Sequence, residues 1–389
     1  MSGKRVVLLG IGHTNAHVVK KWANDPISGC ELTCISRFPT ATYSGMLPGT
    51  LGGQFDDAQM RIDLRPLADR AKAELILADT NGLDLERGRV CFADREPIDF
   101  DVLSIGVGSM PAGWNDFRDS PLMVPIKPMQ TFLVRLENHL ERVSGDANRT
   151  INILVVGGGV ASVEIAFCLQ QHLRNRGSDR STEIEIFTSS ERVAEGMSDR
   201  SVRRIERLLR KREIRVRSRC RVNEVGDESV TTQTGASYPA DCVIWATGAA
   251  APAVLGRLGL ETDERGFIAT SQTLQSLTDP RVFAVGDSGT VVESPSPKAG
   301  VYAVRQAPIL WNNLQAFLAG DSVQRFEPQQ DFLKLLNTGD GKALMEYGPL
   351  SLHSRWAWHL KTWIDKRFIA QYQSSEPNQT SESAVDVEP

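Results

Sequence analysis

Short apolar runs alternate along this chain with segments in which apolar residues recur at the spacing of a helix. The runs at residues 6–9 and 153–156 contain no polar position, as expected for strands buried on both faces of a parallel sheet. Each is followed by a glycine-rich turn and then by a helical segment. This order predicts βαβ units and therefore an α/β fold.

The first glycine turn follows residues 6–9 and reads GIG at residues 10–12. A strand, a glycine turn and a helix in this order place backbone N–H groups and a positive helix end around a pyrophosphate. Asn15 stands where the fingerprint has its third glycine, and the next strand ends at Ser36 without the acidic residue that usually holds a ribose. Taken alone, this motif is a weak indication of dinucleotide binding.

The second glycine turn reads GGG at residues 157–159 and again joins a buried strand to a helix. Ser162 replaces the third glycine, and a residue this small still allows the helix to pack closely on the sheet. Glu164 falls in the first turns of the helix. Two such units in one chain favour two dinucleotide sites over a coincidence.

A third feature comes later, in the segments CVIWATG (residues 242–248) and DPRVFAVGD (residues 279–287). Each is an apolar strand that ends in a turn. Asp287, just beyond its strand, can accept hydrogen bonds from sugar-like hydroxyls of a cofactor. Considered alone, Asp287 is better interpreted as an ordinary loop aspartate.

In this order, the three features resemble the pyridine nucleotide-disulfide oxidoreductases. The resemblance implies two Rossmann-like dinucleotide-binding domains of the three-layer ββα type, with an NAD(P)H domain inserted in an FAD domain, and a short C-terminal helical region. It places FAD at Gly10, Gly12, His13, Ser36, Pro48, Gly286, Asp287 and Lys298, and NAD(P)H at Gly157, Gly159, Glu164 and Gly248.

The same resemblance divides the chain into consecutive parts. Residues 1–115 and 251–325 form the two parts of the FAD domain, and residues 116–250 form the NAD(P)H domain. Residues 326–372 form the C-terminal region, and residues 373–389 are polar and acidic enough to be a disordered tail. The C-terminal region is too short for the dimerisation domain of the disulfide reductases, which disfavours that activity.

Further stretches, at residues 43–49, 297–307, 340–343 and 363–368, are similar to NADH-dehydrogenase-like flavoproteins related to the flavoprotein domain fused to selenide, water dikinase. More distantly, they resemble type II NADH:quinone oxidoreductases. The resemblance implies that hydride passes from NAD(P)H to FAD, and that electrons then pass to a quinone or another small acceptor. The alternative is a flavin-bearing regulatory or partner protein of a selenium-handling pathway, with weak turnover.

Two residues are candidates for catalytic roles within this resemblance. Lys298, at the start of a helix, would stabilise negative charge on reduced FAD; alternatively, it is a solvated helix-start residue. Glu164 would lie near the nicotinamide and the flavin; alternatively, it only complements the positive end of its helix.

The chain also departs from the family at two places. Arg305 precedes Gln306 where the quinone reductases carry two glutamines, so ordinary quinone binding is questionable. Thr188 follows the strand at residues 183–187 in place of an acidic residue, which leaves both NADH and NADPH open as substrates.

Composition narrows the class of protein. The chain has 389 residues, 41% of them hydrophobic, with a formal net charge of −4, and it has no apolar run long enough to span a bilayer. A strand pattern begins almost at the first residue, so we expect a cytoplasmic protein.

Residues 200–221 are rich in arginine, but Val202, Ile205, Leu208 and Leu209 form a helical apolar stripe. The arginines are therefore a solvated face, and no nucleic acid is expected.

The six cysteines form no CxxC pair, and we expect buried, reduced thiols and no metal site. Cys30 and Cys34 would share one face of a strand, which is unlike a loop disulfide. No cysteine follows Cys242, which disfavours sulfide:quinone oxidoreductase activity.

Near the C-terminus, an apolar stripe runs along one helix and contains Trp356, Leu360, Trp363, Ile364 and Phe368. We expect this stripe to pack against the FAD domain. The alternative is a peripheral contact of residues 355–369 with the inner face of the membrane, because tryptophan beside lysine and arginine suits an interface.

Overall fold

The computed structural model of the protein describes residues 3–143, 149–177, 181–329 and 331–373. Of the predicted disordered tail, only Gln373 falls within these ranges; residues 374–389 lie outside the described residues.

The N-terminal part alternates strands and helices and then adds an antiparallel hairpin. Its elements are β1 (Lys4–Leu9), α1 (His13–Asn24), β2 (Cys30–Ser36), β3 (Thr40–Thr42), α2 (Leu47–Leu51), β4 (Arg61–Asp63), α3 (Leu64–Arg70), β5 (Glu74–Leu77), β6 (Thr80–Asp84), β7 (Arg89–Phe92), β8 (Ile98–Asp99) and β9 (Val102–Ile105).

The middle part repeats this plan with a second sheet. Its elements are β10 (Met110–Pro111), β11 (Met123–Pro125), α4 (Met129–Val143), β12 (Ile151–Val156), α5 (Val160–Asn175), β13 (Thr182–Phe187), α6 (Asp199–Lys211), β14 (Arg215–Arg217), β15 (Val222–Val225), β16 (Ser229–Thr232), β17 (Ser237–Pro239), β18 (Cys242–Trp245) and β19 (Ala249–Ala250).

The last part returns to the first sheet and then forms a separate C-terminal region. Its elements are β20 (Ile268–Thr270), β21 (Val282–Ala284), β22 (Gly289–Val291), α7 (Gly300–Ala319), β23 (Lys334–Asn337), β24 (Ala343–Tyr347), β25 (Leu350–Ser354) and α8 (Arg355–Ile369).

Two parallel five-stranded sheets organise the described chain, in the orders β21-β9-β1-β2-β5 and β11-β18-β12-β13-β14. In both, the central strand pairs in parallel with its two neighbours. Helices cover one face of each sheet, and a three-stranded antiparallel sheet covers the other, β6-β7-β8 on the first and β15-β16-β17 on the second. These are the three-layer ββα units that the sequence predicts, and β21 returns to the first sheet after the whole second sheet.

The two crossings between the sheets lie side by side. β10 and β19 pair antiparallel, and the backbone N–H of Ala112 donates to the Gly248 carbonyl at 2.7 Å. The Ala112 carbonyl in turn accepts from Trp245 Nε1 and Thr247 Oγ1 at 2.8 Å and 2.6 Å. The turn at Gly248 is therefore fixed against the outgoing chain.

The C-terminal region contains a three-stranded antiparallel sheet, β23-β24-β25, which the sequence analysis missed, in addition to the expected helix α8. This sheet and its turns bind to the second unit by hydrogen bonds and ion pairs. Glu346 accepts from Ser198 Oγ at the start of α6 at 2.7 Å and pairs with Lys334 at 3.0 Å. Arg212 pairs with Asp340 at 2.7 Å.

The predicted apolar stripe on α8 packs only in part, because Phe368 stacks on the Tyr43 ring at 4.5 Å while the two tryptophans face outward. Trp356 and Trp363 are 60% and 58% exposed, and Leu360, Ile364 and Phe368 are half-buried. The buried face carries Ala357, Lys361, Asp365 and Ile369. The expectation was wrong for the two tryptophans, because Lys361 and Asp365 pair with each other at 2.8 Å on the inner face and can therefore be buried while the tryptophans face outward.

Other expectations are confirmed. Val202, Ile205 and Leu209 are buried on α6, with Leu208 half-buried. The six cysteines are all unpaired, as expected, but only half of them are buried: Cys34, Cys168 and Cys242 are buried, whereas Cys30, Cys91 and Cys220 are half-buried. Cys30 and Cys34 both lie on β2. In the described part of the chain, no helix is long and apolar enough to cross a membrane.

Asn15, the irregular position of the first glycine motif, is buried in a closed hydrogen-bond network. Its Nδ2 donates to the Gly10 carbonyl at 2.8 Å and to the Ser104 carbonyl at 3.3 Å, and its Oδ1 accepts from Ser104 Oγ at 2.7 Å. The side chain thereby joins the turn and α1 to the neighbouring strand β9. At this position, asparagine holds the helix close to the sheet by hydrogen bonds, where the fingerprint has a glycine.

Replacing Asn15 by leucine should destabilise the fold, because the Ser104 hydroxyl and the Gly10 carbonyl lose a buried partner. We expect a loss of about 2–3 kcal/mol in the free energy of unfolding, measured by urea denaturation. Asn24→Leu is the matched control, because Asn24 is exposed on the same helix and should change stability by less than about 0.5 kcal/mol. Equal losses in the two variants would contradict the structural role of the network.

Candidate functional site

The first glycine turn leads from β1 into α1, so the N-terminus of α1 lies at the carboxyl edge of the first sheet. Gly12 is the N-cap of α1, makes no side-chain capping bond, and is followed by a first turn without an acidic residue. By contrast, Ser198 and Ser354 cap α6 and α8 with their side chains. The free backbone N–H groups at the start of α1 can therefore donate hydrogen bonds to an anionic group such as a pyrophosphate.

The return of β21 brings Gly286 and Asp287 to the same edge. The Gly286 N–H donates to Gln306 Oε1 on α7 at 2.6 Å, and Thr14 Oγ1 on α1 donates to the Ala303 carbonyl at 2.8 Å. The start of α1, the turn at Gly286 and the start of α7 are therefore locked together.

His13, in the first turn of α1, is close enough to Asp287 to interact with its charge. Burial lowers the pKa of His13 to about 4, so the imidazole is neutral at physiological pH. Its ring lies 5.3 Å from the Tyr43 ring and 5.7 Å from the Phe368 ring. His13 Nε2 is buried and has no hydrogen-bond partner among the described residues.

Asp287 is held by two residues that the sequence analysis did not single out. Its Oδ2 accepts from Ser109 Oγ at 2.6 Å and lies 3.3 Å from Lys127 Nζ. Ser109 could have been noticed, because it ends the glycine-containing segment 106–109 directly after β9. Lys127 carries no comparable signal, since only the fold brings it to Asp287.

Three other predicted residues lie around this edge. Ser36 ends β2, beside the point where the Gly10 N–H donates to the Ile35 carbonyl at 2.8 Å. Pro48 is buried in α2, which packs on α5, so it lies where the two units meet. Lys298 is half-buried, and its Nζ donates to the Gly289 carbonyl at 2.5 Å and to Thr290 Oγ1 at 2.9 Å, so it is not a freely solvated lysine.

The second glycine turn has the same design as the first. Gly159 is the uncapped N-cap of α5, and a Cβ at this position would meet no atom within 4 Å. Ser162, in place of the third glycine, donates from Oγ to the Ala246 carbonyl at 2.8 Å. Gly248 is equally open. The N-terminus of α5 thus faces a space that a second pyrophosphate could enter.

No charged side chain at the end of β13 is placed to bind a ribose hydroxyl of the nucleotide. Thr188 is buried, and its Oγ1 accepts from the Ser190 N–H at 3.1 Å. Arg192 is paired with Glu206 at 2.9 Å and with Asp199 at 3.1 Å.

Glu164 belongs to a cluster of ionisable groups between α5, α8 and the loop before α2, in which Lys361 and Asp365 are buried and Glu164 and Tyr43 are half-buried. Its Oε1 accepts from the Asn337 N–H at 2.7 Å. Lys361 Nζ donates to the Gly45 carbonyl and to Asp365 Oδ2, both at 2.8 Å, and Tyr43 OH donates to Asp365 Oδ1 at 3.2 Å. No local pattern in the sequence connects Lys361, Asp365 or Tyr43 with Glu164, because they lie far from it along the chain.

Burial raises the pKa of Glu164 to about 7, although the charge of Lys361 opposes the rise. The carboxyl group therefore exchanges its proton near neutral pH. A group with this property suits proton transfer.

The Arg305-Gln306 pair does not form a polar pair facing one acceptor. Gln306 is buried, and its Oε1 accepts a hydrogen bond from the Gly286 N–H. Arg305 instead donates to the side chain of Gln329.

Comparison with known proteins identifies the family. Residues 4–307 match the pyridine nucleotide-disulphide oxidoreductases. The chain belongs to this family. It is an oxidoreductase that uses FAD with NADH or NADPH. The residues around Gly12 and Asp287 fit FAD, because the uncapped N-terminus of α1 lies beside Asp287 and the imidazole of His13, whose buried Nε2 has no partner among the described residues.

Two relatives and one solved structure define the similarity further. The chain is 24% identical to the NADH dehydrogenase-like protein YutJ of Bacillus subtilis, over 84% of this chain and 87% of that protein. It is 25% identical to the type II NADH:quinone oxidoreductase of Haemophilus influenzae, over 51% of this chain and 50% of that protein. The sulfide:quinone oxidoreductase of Aquifex aeolicus shares the fold, with a TM-score of 0.80 and 18% identity over 95% of this chain and 91% of that chain.

These similarities agree with the wider family and the NADH-dehydrogenase-like group that the sequence predicts. The narrower resemblance to flavoproteins fused to selenide, water dikinase stays a prediction.

The buried position of Glu164 predicts a specific pH dependence of stability. Its pKa is raised from 4.5 to about 7, so between these values the folded protein holds a proton that the unfolded chain has released. The free energy of unfolding should therefore fall as the pH rises through this window, and it should fall less in Glu164→Gln. Urea denaturation at several pH values measures the difference, with Glu224→Gln as the control, because Glu224 is an exposed residue of β15. Parallel pH profiles for wild type and Glu164→Gln would contradict the assignment.

Proposed function

We propose that this protein transfers hydride from NAD(P)H to FAD and passes the electrons to a quinone or a similar small acceptor. The observation that carries the proposal is that the uncapped start of α1 lies beside Asp287, which is close enough to interact with His13. A second uncapped helix start, at Gly159, occurs on the other sheet. When bound, FAD accepts hydride from the nicotinamide and delivers the electrons onward.

The chain's own residues bind and orient FAD. The N–H groups at the start of α1 receive the pyrophosphate, with Gly10 and Gly12 keeping the turn close to the strand. Asp287 accepts hydrogen bonds from hydroxyl groups, and Gly286 fixes its position. Neutral His13 adds a polar ring nitrogen without adding a positive charge.

NAD(P)H is proposed to bind at the second turn, on Gly157, Gly159 and Gly248, with Glu164 near the reacting ends of the two cofactors. We propose NADH as the preferred nucleotide because the two relatives above are named for NADH. NADPH is the competing substrate, since Thr188 offers no carboxylate to a ribose hydroxyl.

Reduction of a quinone takes up protons as well as electrons. We propose that Glu164 supplies a proton from its side-chain carboxyl group, with Lys361 beside it and Asp365 and Tyr43 completing the cluster. The pKa of about 7 supports this role, because a proton donor works best near the pH at which it operates. Lys298 is proposed to act at longer range, as a positive charge near FAD.

Gly159 provides a test of the nicotinamide site that leaves the fold intact. Gly159→Asp should still cap α5, since aspartate is a favoured N-cap, but its carboxylate would repel the pyrophosphate. Gly159→Asn has the same shape without the charge. We expect the Kd for NADH, measured by anaerobic stopped-flow bleaching of the flavin band near ~450 nm, to be at least about tenfold higher in the aspartate variant than in the asparagine variant.

In the same experiment, the FAD content of both variants should equal that of the wild type. Equal affinity of the two variants for NADH would contradict nucleotide binding at α5. Parallel runs with NADPH rank the two nucleotides.

We also propose a peripheral membrane contact through residues 355–369. The outer face of α8 exposes Trp356 and Trp363, and the adjoining hairpin exposes Tyr347 and Leu350. Arg367 lies over the Trp363 ring at 5.4 Å. Exposed aromatic groups beside cations suit the headgroup region, where a quinone would also be reached.

Flotation with anionic liposomes at low salt tests this contact. The wild type should float with the vesicles, and Trp356→Ser/Trp363→Ser should remain at the bottom of the gradient. Val134→Ser/Leu277→Ser removes two exposed apolar groups elsewhere and should float like the wild type. A wild-type protein that does not float would remove membrane contact from the proposal.

A further inference from the structure

Lys127 connects the second sheet to the cofactor edge of the first. It follows β11, an edge strand of the second sheet, and its side chain is 23% exposed. Its Nζ donates to Ser109 Oγ at 2.6 Å and lies 3.3 Å from Asp287 Oδ2, on a carboxylate that is 19% exposed. The lysine, the serine and the aspartate come from three different parts of the chain.

The geometry of this triad leaves one side of the aspartate free. Ser109 Oγ and Lys127 Nζ both donate to Oδ2, and within the described ranges Oδ1 makes no hydrogen bond. Two donors on one oxygen fix the plane and direction of a carboxylate better than one. The second oxygen is thereby kept as an acceptor in a constant position.

The charge around Asp287 points to the same lysine. Burial alone would raise the pKa of Asp287, but the Lys127 charge and the Ser109 hydrogen bond outweigh it and lower the pKa below its ordinary value. Lys298 contributes from further away, because its ammonium is bonded to Gly289 and Thr290 and lies over the Phe267 ring at 4.1 Å. Of these two cations, Lys127 is the one that contacts Asp287.

We propose that Lys127 is a positioning residue of the FAD site, which holds Asp287 with Oδ1 toward a cofactor hydroxyl and adds a positive charge beside the flavin. This inference rests on the proposed function, since it requires FAD at Gly12 and Asp287. It also makes the FAD site depend on a residue of the NAD(P)H-side unit. A flavin site completed across the two units forms only when the second sheet is in place.

The test compares Lys127→Met with Lys127→Arg in reconstituted protein. Apoprotein is titrated with FAD to obtain the Kd from flavin fluorescence, and the midpoint potential of the bound flavin is measured by dye-equilibrated reduction. Lys127→Met should raise the Kd about tenfold and make the potential more negative by about 30 mV, which is a tenfold change for a two-electron couple. Lys127→Arg keeps the charge and should keep the potential near that of the wild type.

Lys334→Met is the matched control, because Lys334 is also partly buried and pairs with a carboxylate, Glu346, at 3.0 Å. It should lower stability without changing the Kd for FAD or the potential. Lys127→Met with wild-type Kd and potential would overturn the inference, because the lysine would then be structural only.

Two further outcomes keep the test decisive. If Lys127→Met does not fold, Ser109→Ala removes the other donor to Oδ2, and it must raise the Kd for FAD or the inference is overturned. A wild-type protein that binds no FAD would overturn the proposed function and this inference with it. If the wild type binds FAD and Lys127→Met changes neither the Kd for FAD nor the midpoint potential, this inference alone is overturned.

Discussion

The close approach of each glycine turn to the neighbouring strand is the constraint on which the rest of the structure depends. Gly10 has a φ of +81°, and a Cβ there would lie 2.7 Å from the Gly106 carbonyl oxygen. Gly157, with a φ of +135°, would overlap Ala246 in the same way. Only because these turns are so tight do α1 and α5 begin at the carboxyl edges of their sheets with free N–H groups.

A second constraint is the packing of the C-terminal region against both units. The C-terminal region packs on the second unit through Glu346 and Asp340 and buries Lys361 against Asp365 and the Gly45 carbonyl. A buried ammonium needs partners of this kind, because an unpaired charge in the interior is strongly destabilising. The same ammonium moderates the rise in the pKa of Glu164. The packing of α8 and the pKa of Glu164 therefore depend on one cluster.

Much of this could be predicted from the sequence where the signal is local. Apolar runs before glycine turns predicted the two parallel α/β units, and the family resemblance, rather than the local pattern, predicted that Gly286 and Asp287 return to α1. Asn15 looked like a defect of the motif, because its bonds to Ser104 come from a strand far along the chain. Lys127 and the Lys361–Asp365 pair were missed for the same reason: spacing does not reveal which distant segment satisfies a buried charge. The face of α8 was misjudged because apolarity was counted without that pair.

The most direct test of the account is the identity and amount of the flavin released from the purified protein on denaturation. Chromatography with an absorbance standard distinguishes FAD from FMN and gives the ratio of flavin to chain. We predict FAD, at one per chain once the protein is saturated, because the start of α1 beside Asp287 would hold one flavin. FMN in its place, or no flavin after incubation with excess FAD, would contradict it.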